Sequence, residues 1–201
     1  MRRIAVSQRV EIVQTYAERR DALDQRWSIF LAACDLLCVP VPNQPAGVDA
    51  FLSAFAVDGI LLTGGNDLVR YGGDAPERDG TDRRLIELGL ESGLPILGVC
   101  RGMQSIQDYF NVPLERVEGH VTAQQEVSMR GRLESVNSYH CFGARRSVPE
   151  LEVCAVSADG VVKAIRHRDL AVQGVMWHPE RFAAPAVRDV ALFRELFGAP
   201  R

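Results

Sequence analysis

One cysteine carries the clearest chemical signal in the chain. Cys100 follows the apolar run 95–99 and stands between Gly98 and Gly102, in the pattern Gly-x-Cys-x-Gly. A buried strand that stops at this pattern before a helix is typical of a nucleophile elbow, here with a thiol in place of a serine hydroxyl. The glycines permit a tight turn that presents one side chain above the end of a sheet. The pattern therefore predicts that Cys100 can attack a carbonyl carbon.

A thiol in this position needs activation, since a free cysteine is mostly protonated at neutral pH. The N-terminus of a helix beginning near Arg101 favours the thiolate, and a histidine base would complete the activation. His178 is the best candidate because a predicted strand, 171–176, ends just before it. Glu180, two residues further on, could hold the imidazole in one tautomer. We predict that Cys100, His178 and Glu180 are catalytic; a merely structural His-Pro-Glu turn is the alternative.

Acyl transfer also requires hydrogen-bond donors for the oxyanion. The backbone N–H of Arg101, directly after the nucleophile, is expected to be one. The segment LLTGGND (61–67) is expected to supply the second, because its consecutive glycines, Gly64 and Gly65, follow a neighbouring apolar strand and let backbone N–H groups turn toward a ligand.

The remaining histidines receive structural interpretations. His140 is expected to be a structural histidine near the substrate pocket. His120 is expected in a solvent-exposed loop over the cleft, and His167 at a solvated hairpin tip. Cys141 follows His140 and could lie near the site, although no elbow presents it.

The composition limits the class of protein. With 201 residues, we expect one domain over residues 1–201. The net charge of -3 and the lack of a basic segment argue against nucleic-acid binding. No apolar run approaches the roughly 20 residues that span a bilayer, and the N-terminus lacks the apolar core of a signal peptide. Five scattered cysteines without Cys-x-x-Cys favour reduced thiols in the cytoplasm, with no structural zinc. We expect no metal and no cofactor.

The elements that must position these residues alternate along the first half of the chain. Apolar runs predict strands at 4–7, 37–41, 59–63 and 95–99, and helical periodicity predicts helices at 16–33, 48–55, 82–91 and 101–110. From residue 112 the pattern changes to strands at 125–129, 133–137, 151–157, 161–166 and 171–176, with a closing helix at 186–197. We therefore predict an α/β fold with a mostly parallel central sheet, helices on both faces, and antiparallel strands added in the C-terminal half.

Four motifs in a fixed order resemble the class I glutamine amidotransferases, and within them the free-standing γ-glutamyl hydrolase branch (peptidase C26-like). They are LTGGND (62–67), GVCRGMQ (98–104), VNSYH (136–140) and GVMWHPE (174–180). The resemblance implies a flavodoxin-like α/β fold, without a cofactor. It also implies hydrolysis of a γ-glutamyl amide through a γ-glutamyl thioester, with release of glutamate.

The resemblance also implies roles for the residues that match its motifs. It makes Cys100 the nucleophile, His178 the general base and acid, and Glu180 the orienting carboxylate. The oxyanion donors would be Gly65 and Arg101, with Gly64 a close neighbour. The residues implied to hold the glutamyl head are Gln104, through its side chain, and Ser138 and Tyr139, through backbone that meets the α-carboxylate.

The leaving group is less constrained by the sequence. The segments IAVSQRV (4–10) and TGGNDL (63–68) look most like amidotransferase-like proteins of bacterial surface-polysaccharide clusters, some of which resemble hydrolases of a γ-glutamyl-CDP-amidate. That phosphoramidate is our best prediction for the substrate. Arg9 follows the first strand, where ligands often bind, and a guanidinium suits phosphate; we expect Arg9 on the leaving-group side, with a surface arginine as the alternative.

Other functions remain open at this stage. The form Cys-Arg-Gly rather than Cys-Leu-Gly favours a stand-alone hydrolase over a glutaminase subunit that feeds ammonia to a separate synthase. A γ-glutamyl-amine hydrolase, such as one acting on γ-glutamyl-γ-aminobutyrate, is less favoured because the chain is short and Met176 replaces a common glutamine. A non-catalytic binding protein is disfavoured by the complete Cys100, His178 and Glu180 set. The expected partner is a small-molecule substrate, and the assembly could be a homodimer or a complex with a separate synthase.

Overall fold

The computed structural model describes residues 1–198 and contains five α-helices and thirteen strands in that range. The helices are α1 (Arg26–Ala33), α2 (Val48–Phe55), α3 (Pro76–Ser92), α4 (Arg101–Tyr109) and α5 (Val187–Gly198). The strands are β1 (Arg2–Ser7), β2 (Arg9–Val13), β3 (Glu18–Ala22), β4 (Leu36–Val41), β5 (Gly59–Leu62), β6 (Ile96–Val99), β7 (Glu115–Arg116), β8 (Val121–Met129), β9 (Arg132–Tyr139), β10 (Phe142–Gly143), β11 (Leu151–Ser157), β12 (Val162–His167) and β13 (Val172–Val175).

Nine of these strands form one mixed sheet in the order β4-β1-β5-β6-β13-β12-β11-β8-β9. The pairings from β4 to β13 are parallel, and those from β13 to β9 are antiparallel. The predicted fold class, a parallel sheet extended by antiparallel strands from the C-terminal half, is therefore confirmed. The strand β13 is the junction, because it pairs in parallel with β6 on one side and antiparallel with β12 on the other.

Helices cover both faces of the parallel half, as predicted. Alternate residues of each strand point to opposite faces, so Ala5 joins one apolar core and its neighbours Ile4 and Val6 join the other. The first core packs α2, α3 and α4 against the sheet. The second packs α1 and α5, whose rings Trp27 and Phe193 lie 6.3 Å apart between centroids. Because helices cover both faces of the parallel half, a ligand-binding site is expected at the ends of its strands.

Two helix predictions were wrong in extent. The helix expected over 16–33 begins only at Arg26, and Glu18–Ala22 instead pairs antiparallel with Arg9–Val13 in a separate two-stranded sheet. Ala17 has a left-handed backbone (φ 49°), which breaks any helix at that point. The helix expected at 82–91 is longer than predicted and begins at Pro76.

The sheet register brings three strand ends to one edge. Leu62 lies opposite Gly98, and Val99 lies opposite Val175, so β5, β6 and β13 end side by side. The segments that follow these strands hold the residues predicted for the site. They are residues 63–66, called the glycine loop below, after β5, then Cys100 after β6 and His178 after β13. Among residues 1–198, no helix combines the length and apolar character needed to cross a membrane.

Candidate active site

Cys100 occupies a strained turn between β6 and α4. Its backbone angles are φ 52° and ψ -107°, a region that non-glycine residues rarely adopt and that costs about 1–3 kcal/mol. Its N–H donates to the carbonyl of Val175 at 2.8 Å, which ties the turn to β13. A Cβ on Gly98 would stand 2.5 Å from the carbonyl carbon of Gly102, so only glycine allows the strand and helix to meet this closely. The elbow geometry predicted for Cys100 is present.

His178 and Glu180 lie together at the end of β13. The His178 Nδ1 is 2.8 Å from the Glu180 Oε1, and both side chains are buried. Because Glu180 accepts the Nδ1 proton, the Nε2 atom is left to act on the nucleophile. Asn137 braces this segment: its Nδ2 donates to the His178 carbonyl at 2.8 Å, and its Oδ1 accepts from the His178 N–H at 2.7 Å.

The electrostatics of His178 favour its protonated form. Burial opposes the charge, but the neighbouring Cys100 thiolate and the Glu180 carboxylate outweigh burial and raise the pKa of His178 to about 9. At two cysteines remote from this pair, Cys34 and Cys38, burial raises the pKa of the thiol to about 11. Cys100 therefore lies beside the imidazolium of His178, which is its cationic partner.

The glycine loop lies against the histidine. A Cβ on Gly64 would stand 2.5 Å from the Cε1 of His178, so the imidazole occupies space that only a glycine leaves free. Gly65 has a positive φ of 88°. The loop is anchored to β1 by two hydrogen bonds: the Thr63 N–H donates to the Ser7 Oγ at 3.0 Å, and the Thr63 Oγ1 donates to the Ser7 carbonyl at 2.8 Å.

The side chain of Arg101 faces α3. It is 1 % exposed and forms ion pairs with Asp79 and Asp82, and it contacts the Ser105 Oγ at 3.3 Å. Its backbone N–H is the first of α4 and has no carbonyl partner within the helix. The residue therefore offers its N–H at the helix N-terminus while its side chain joins α4 to α3.

A cavity of about 250 Å³ opens at this edge of the sheet. Its lining combines the nucleophile, the loop and the end of β9: Gly65, Asn66, Asp67, Cys100, Arg101, Gln104, Tyr139, His140 and Cys141. The Cys100 Sγ lies 4.0 Å from the Tyr139 carbonyl oxygen. The Gln104 Nε2 donates to the Phe142 carbonyl at 2.8 Å, which fixes the amide at the cavity wall. Such a volume suits a small polar head group beside the thiol.

Behind this wall lies a buried polar cluster. The chain's one lysine, Lys163, is 1 % exposed and donates to the Ser138 Oγ at 3.1 Å and to the His140 Nε2 at 2.6 Å. Burial and the Lys163 charge lower the pKa of His140 to about 3, so this histidine is neutral. The Ser138 hydroxyl in turn donates to the His120 carbonyl at 2.8 Å. The side chain of Ser138 is thus engaged inside the protein, and the residue lies opposite Thr122 of β8 in the sheet.

Two histidine predictions were wrong. His120 is 2 % exposed rather than solvated; its ring stacks on His140 at 5.0 Å and contacts Gln125 and Asp159. His167 is also buried, at the end of β12, where its Nδ1 accepts from the N–H groups of residues 169 and 170. His140, in contrast, is the fixed structural residue beside the cavity that the sequence predicted, and Cys141 is exposed on the same wall.

Arg9 lies against the glycine loop at a second, smaller cavity, separate from the one that Cys100 lines. A Cβ on Gly65 would stand 3.2 Å from the Arg9 Nε, and the side chain, 44 % exposed, lies 3.6 Å from Glu11. Arg9 lines a small cavity of about 30 Å³ together with Gly64, His178 and Arg181. The Arg181 guanidinium stacks on Tyr139 at 5.0 Å. Two partly exposed cations therefore flank the loop and the histidine.

The structure brings Cys100, His178 and Glu180, the predicted nucleophile, base and orienting carboxylate, to one sheet edge, with the glycine loop and Gln104 beside them. Within the described chain no cluster of three or more His, Cys, Asp or Glu side chains could hold a metal ion. The sequence reasoning missed Arg78, Asn137 and Lys163. Asn137 stands inside the VNSYH motif, which could have marked it, whereas a lone buried arginine or lysine gives no signal in the sequence.

The fold and the site define an α/β protein with a cysteine at a strand-to-helix turn and a buried histidine–glutamate pair at the same sheet edge. The sequence profile of the family described as glutamine amidotransferase class-I matches residues 30–197. The chain belongs to the class-I glutamine amidotransferase family, whose enzymes are cysteine amidohydrolases.

Individual relatives agree with this assignment. The chain is 28% identical over 197 residues to the gamma-glutamyl-CDP-amidate hydrolase of Campylobacter jejuni, with 96% of each chain covered. Two solved structures share the fold: a glutamine amidotransferase from Thermotoga maritima (TM-score 0.68, 16% identity, 98% of this chain and 82% of the other), and the glutaminase domain of Trypanosoma brucei CTPS with bound acivicin (TM-score 0.72, 15% identity, 100% and 96%).

Proposed function

We propose that the chain, acting as a single domain, hydrolyses a γ-glutamyl amide through a γ-glutamyl thioester on Cys100. One arrangement carries this proposal: a thiol at a strained elbow and a helix N-terminus, beside a histidine whose other nitrogen is held by a buried glutamate. The cavity next to the thiol has the size and polarity for the glutamyl head, with Gln104 at its wall.

The reaction follows from these positions. The Cys100 thiolate attacks the amide carbonyl while His178 carries the proton. The oxyanion that forms would be stabilised by the N–H groups of Gly65 and Arg101, a contribution worth about 3–4 kcal/mol per donor in enzymes of this kind. The His178 imidazolium then protonates the leaving nitrogen, and the C–N bond breaks to give the thioester. Water, deprotonated by His178, attacks the thioester and releases glutamate and the free thiol.

For the leaving group we favour a nucleotide phosphoramidate, as in γ-glutamyl-CDP-amidate. The relative that carries this activity in its name matches nearly the whole of both chains. Arg9 and Arg181, both partly exposed, flank the loop beside His178, where the leaving group must depart. Guanidinium groups bind phosphate oxygens well. A role in capsule or surface-polysaccharide biosynthesis follows from that substrate and is part of this proposal.

The direct test is a glutamate-release assay on the isolated chain with γ-glutamyl-CDP-amidate, glutamine and γ-glutamyl-γ-aminobutyrate. We expect turnover without any second protein and the highest kcat/KM for the phosphoramidate. Cys100→Ala should release no glutamate, whereas Cys141→Ala, which removes the other thiol at the cavity, should retain turnover. Residual activity in a clean Cys100→Ala preparation would refute the nucleophile assignment.

The same assay separates the alternatives. A glutaminase subunit that serves a separate synthase would be nearly silent alone, and a γ-glutamyl-amine hydrolase would prefer the γ-aminobutyrate conjugate. Arg9→Ala should raise KM for the phosphoramidate and leave glutamine hydrolysis unchanged. Equal effects of Arg9→Ala on both substrates would remove Arg9 from the leaving-group side.

A further inference from the structure

Arg78 lies at the beginning of α3 and is completely buried. Its guanidinium donates to four consecutive residues of the glycine loop, 63–66. The Nη2 atom contacts the Thr63 carbonyl at 2.8 Å, the Thr63 Oγ1 at 3.2 Å and the Gly64 carbonyl at 2.9 Å. The Nη1 atom contacts the Asn66 Oδ1 at 3.1 Å and also the Gly65 carbonyl. One side chain therefore anchors the whole loop.

The bond to the Gly64 carbonyl has a geometric consequence. The carbonyl of Gly64 and the N–H of Gly65 belong to one planar trans peptide unit, so they point in opposite directions. Because Arg78 holds that carbonyl toward α3, the Gly65 N–H must point away from α3, and Gly65 lines the cavity that holds Cys100. Rotation of this peptide would break the bond to Arg78 and turn the donor away.

The cost of burying this cation argues that it has a specific task. No ion pair joins Arg78 to an acidic side chain anywhere in residues 1–198, and its hydrogen-bond partners are carbonyl, amide and hydroxyl oxygens of the glycine loop. Packing alone could be provided by an apolar side chain at lower cost, since desolvating an unpaired charge is expensive. A planar fork with several N–H groups is suited to holding consecutive carbonyls.

The same part of α3 also holds the second donor residue. Asp79 and Asp82 pair with the Arg101 side chain, while Arg78 holds the loop that contains Gly65. The two predicted oxyanion donors are thus fixed from one helix segment, residues 78–82, within this chain.

We propose that Arg78 is a positioning residue that locks the Gly65 peptide in its donor orientation. This inference rests on the proposed function, since it assumes that Gly65 serves the oxyanion. Its consequence is that the isolated chain has an assembled oxyanion site and requires no partner to orient the loop.

The test compares Arg78→Ala and Arg78→Lys with the wild type. Arg84→Ala is the matched control, because Arg84 lies on the same helix and pairs with Asp49 and Glu87 but does not touch the loop. We expect kcat to fall about 100- to 1000-fold in Arg78→Ala, the loss typical of one oxyanion donor, with KM changed less than threefold. Arg84→Ala should keep the wild-type kcat. Added guanidinium ion should restore part of the activity of Arg78→Ala in a saturable way.

A second readout separates positioning from general damage. Alkylation of Cys100 by iodoacetamide passes through no oxyanion, so its rate at the high-pH plateau should equal that of the wild type in both variants. Hydrogen exchange at residues 64–66 should be faster in Arg78→Lys than in the wild type, a measurement that needs no turnover. Arg78→Lys also guards against the case in which the alanine variant does not fold.

The outcomes are distinct. Wild-type kcat in Arg78→Lys and Arg78→Ala, or unchanged exchange at residues 64–66, overturns the inference and leaves the proposed function intact. A parallel loss of turnover and of plateau alkylation shows general disruption and also overturns it. A wild type that hydrolyses no γ-glutamyl compound refutes the proposed function instead, and the exchange data then decide whether Arg78 still holds the loop.

Discussion

Asn137 and His178 are joined by two reciprocal hydrogen bonds, of 2.8 and 2.7 Å, between the Asn137 amide and the main chain of His178. This pair connects the end of β9 to the segment after β13, although the two strands are separated by three others in the sheet. The position of the imidazole is therefore fixed by a residue outside the proposed triad.

We expect Asn137→Ala to lower kcat about 10- to 100-fold, because an error near 1 Å in the base reduces catalysis by that order. It should also reduce the free energy of unfolding by about 1–3 kcal/mol, since two buried main-chain groups lose their partners. Steady-state kinetics and urea unfolding check both parts. An unchanged kcat would show that Pro179 and Glu180 alone position the ring.

Glu180→Gln should lower the pKa of His178. Removing a buried charge-assisted hydrogen bond is worth about 1.5–3 kcal/mol, or about one to two pKa units. In the wild type, the imidazolium that protonates the leaving group is lost as pH rises through about 9, the raised pKa of His178 in the free enzyme, so the alkaline limb of the kcat/KM profile should lie there. In Glu180→Gln this limb should move to lower pH, with reduced but measurable activity. A limb that does not move would assign it to another group.

The same pKa shift predicts a dependence of stability on pH. The folded protein holds the His178 proton more tightly than the unfolded chain, whose value is near 6.5. This contribution is fully present below pH 6.5 and is lost as pH rises through about 9. In His178→Asn it should be missing, so the difference in unfolding free energy between the wild type and this variant should shrink across that range. Urea titrations at pH 6 and pH 10 provide the measurement.

The contribution of Lys163 to the free energy of unfolding should change with pH in the opposite direction. Burial lowers the pKa of Lys163 to about 8 from 10.5, so between these values the unfolded chain binds more protons than the folded one. Stability from this residue therefore rises with pH from about 8 to 10.5, by about 3 kcal/mol at most. Subtracting the unfolding free energy of Lys163→Met from that of the wild type isolates the effect. A flat difference would mean that the ammonium is not buried.

Gly64→Ala tests how closely the loop and the base approach each other. The added methyl would lie 2.5 Å from the His178 Cε1, so either the ring or the loop must move. We expect at least a 100-fold loss of kcat with a normal fold by circular dichroism. Gly72→Ala is a useful comparison for the assay, because an added Cβ meets nothing within 4 Å there, although its positive φ will cost some stability. Near-normal activity in Gly64→Ala would refute the close contact.

The strain at the nucleophile is also measurable. Glycine adopts the backbone angles of residue 100 without the steric cost that a Cβ brings. Glycine also has more conformational freedom in the unfolded chain, which offsets part of this gain. We therefore expect the free energy of unfolding of Cys100→Gly to exceed that of Cys100→Ala by about 1 kcal/mol. Thermal unfolding should then differ by about 2–4 °C. An alanine variant that is the more stable would show that the elbow is unstrained.

The sequence could predict the parts whose signals are local. The elbow around Cys100 and the strand before His178 follow from apolar runs that end at glycines or at His-Pro-Glu, and the register of β5, β6 and β13 then places them together. The β2–β3 hairpin could not be predicted in this way. Its strand Glu18–Ala22 is mostly charged and exposed, and it is defined by pairing with Arg9–Val13 rather than by its own periodicity.

Buried polar residues account for most of the other errors. The predicted helix 82–91 left out the first turns of α3, which carry Arg78 and Asp79; their charges are satisfied by the glycine loop and by Arg101. His120, predicted in a solvent-exposed loop, is also buried against partners that are distant in the sequence, His140 and Asp159. A polar residue can be buried only when its partners lie nearby in space, and those partners are distant in the sequence.

The position of β13 also determines when the reactive pair can exist. This strand fills the place between β6 and β12, yet among residues 1–198 it is the last strand in sequence order. A ribosome-bound chain that has emerged only as far as Cys100 or the antiparallel strands carries a thiol with neither base nor glutamate beside it. The Cys100–His178 pair can therefore form only after residues 172–180 have been made and β13 has entered the sheet between β6 and β12.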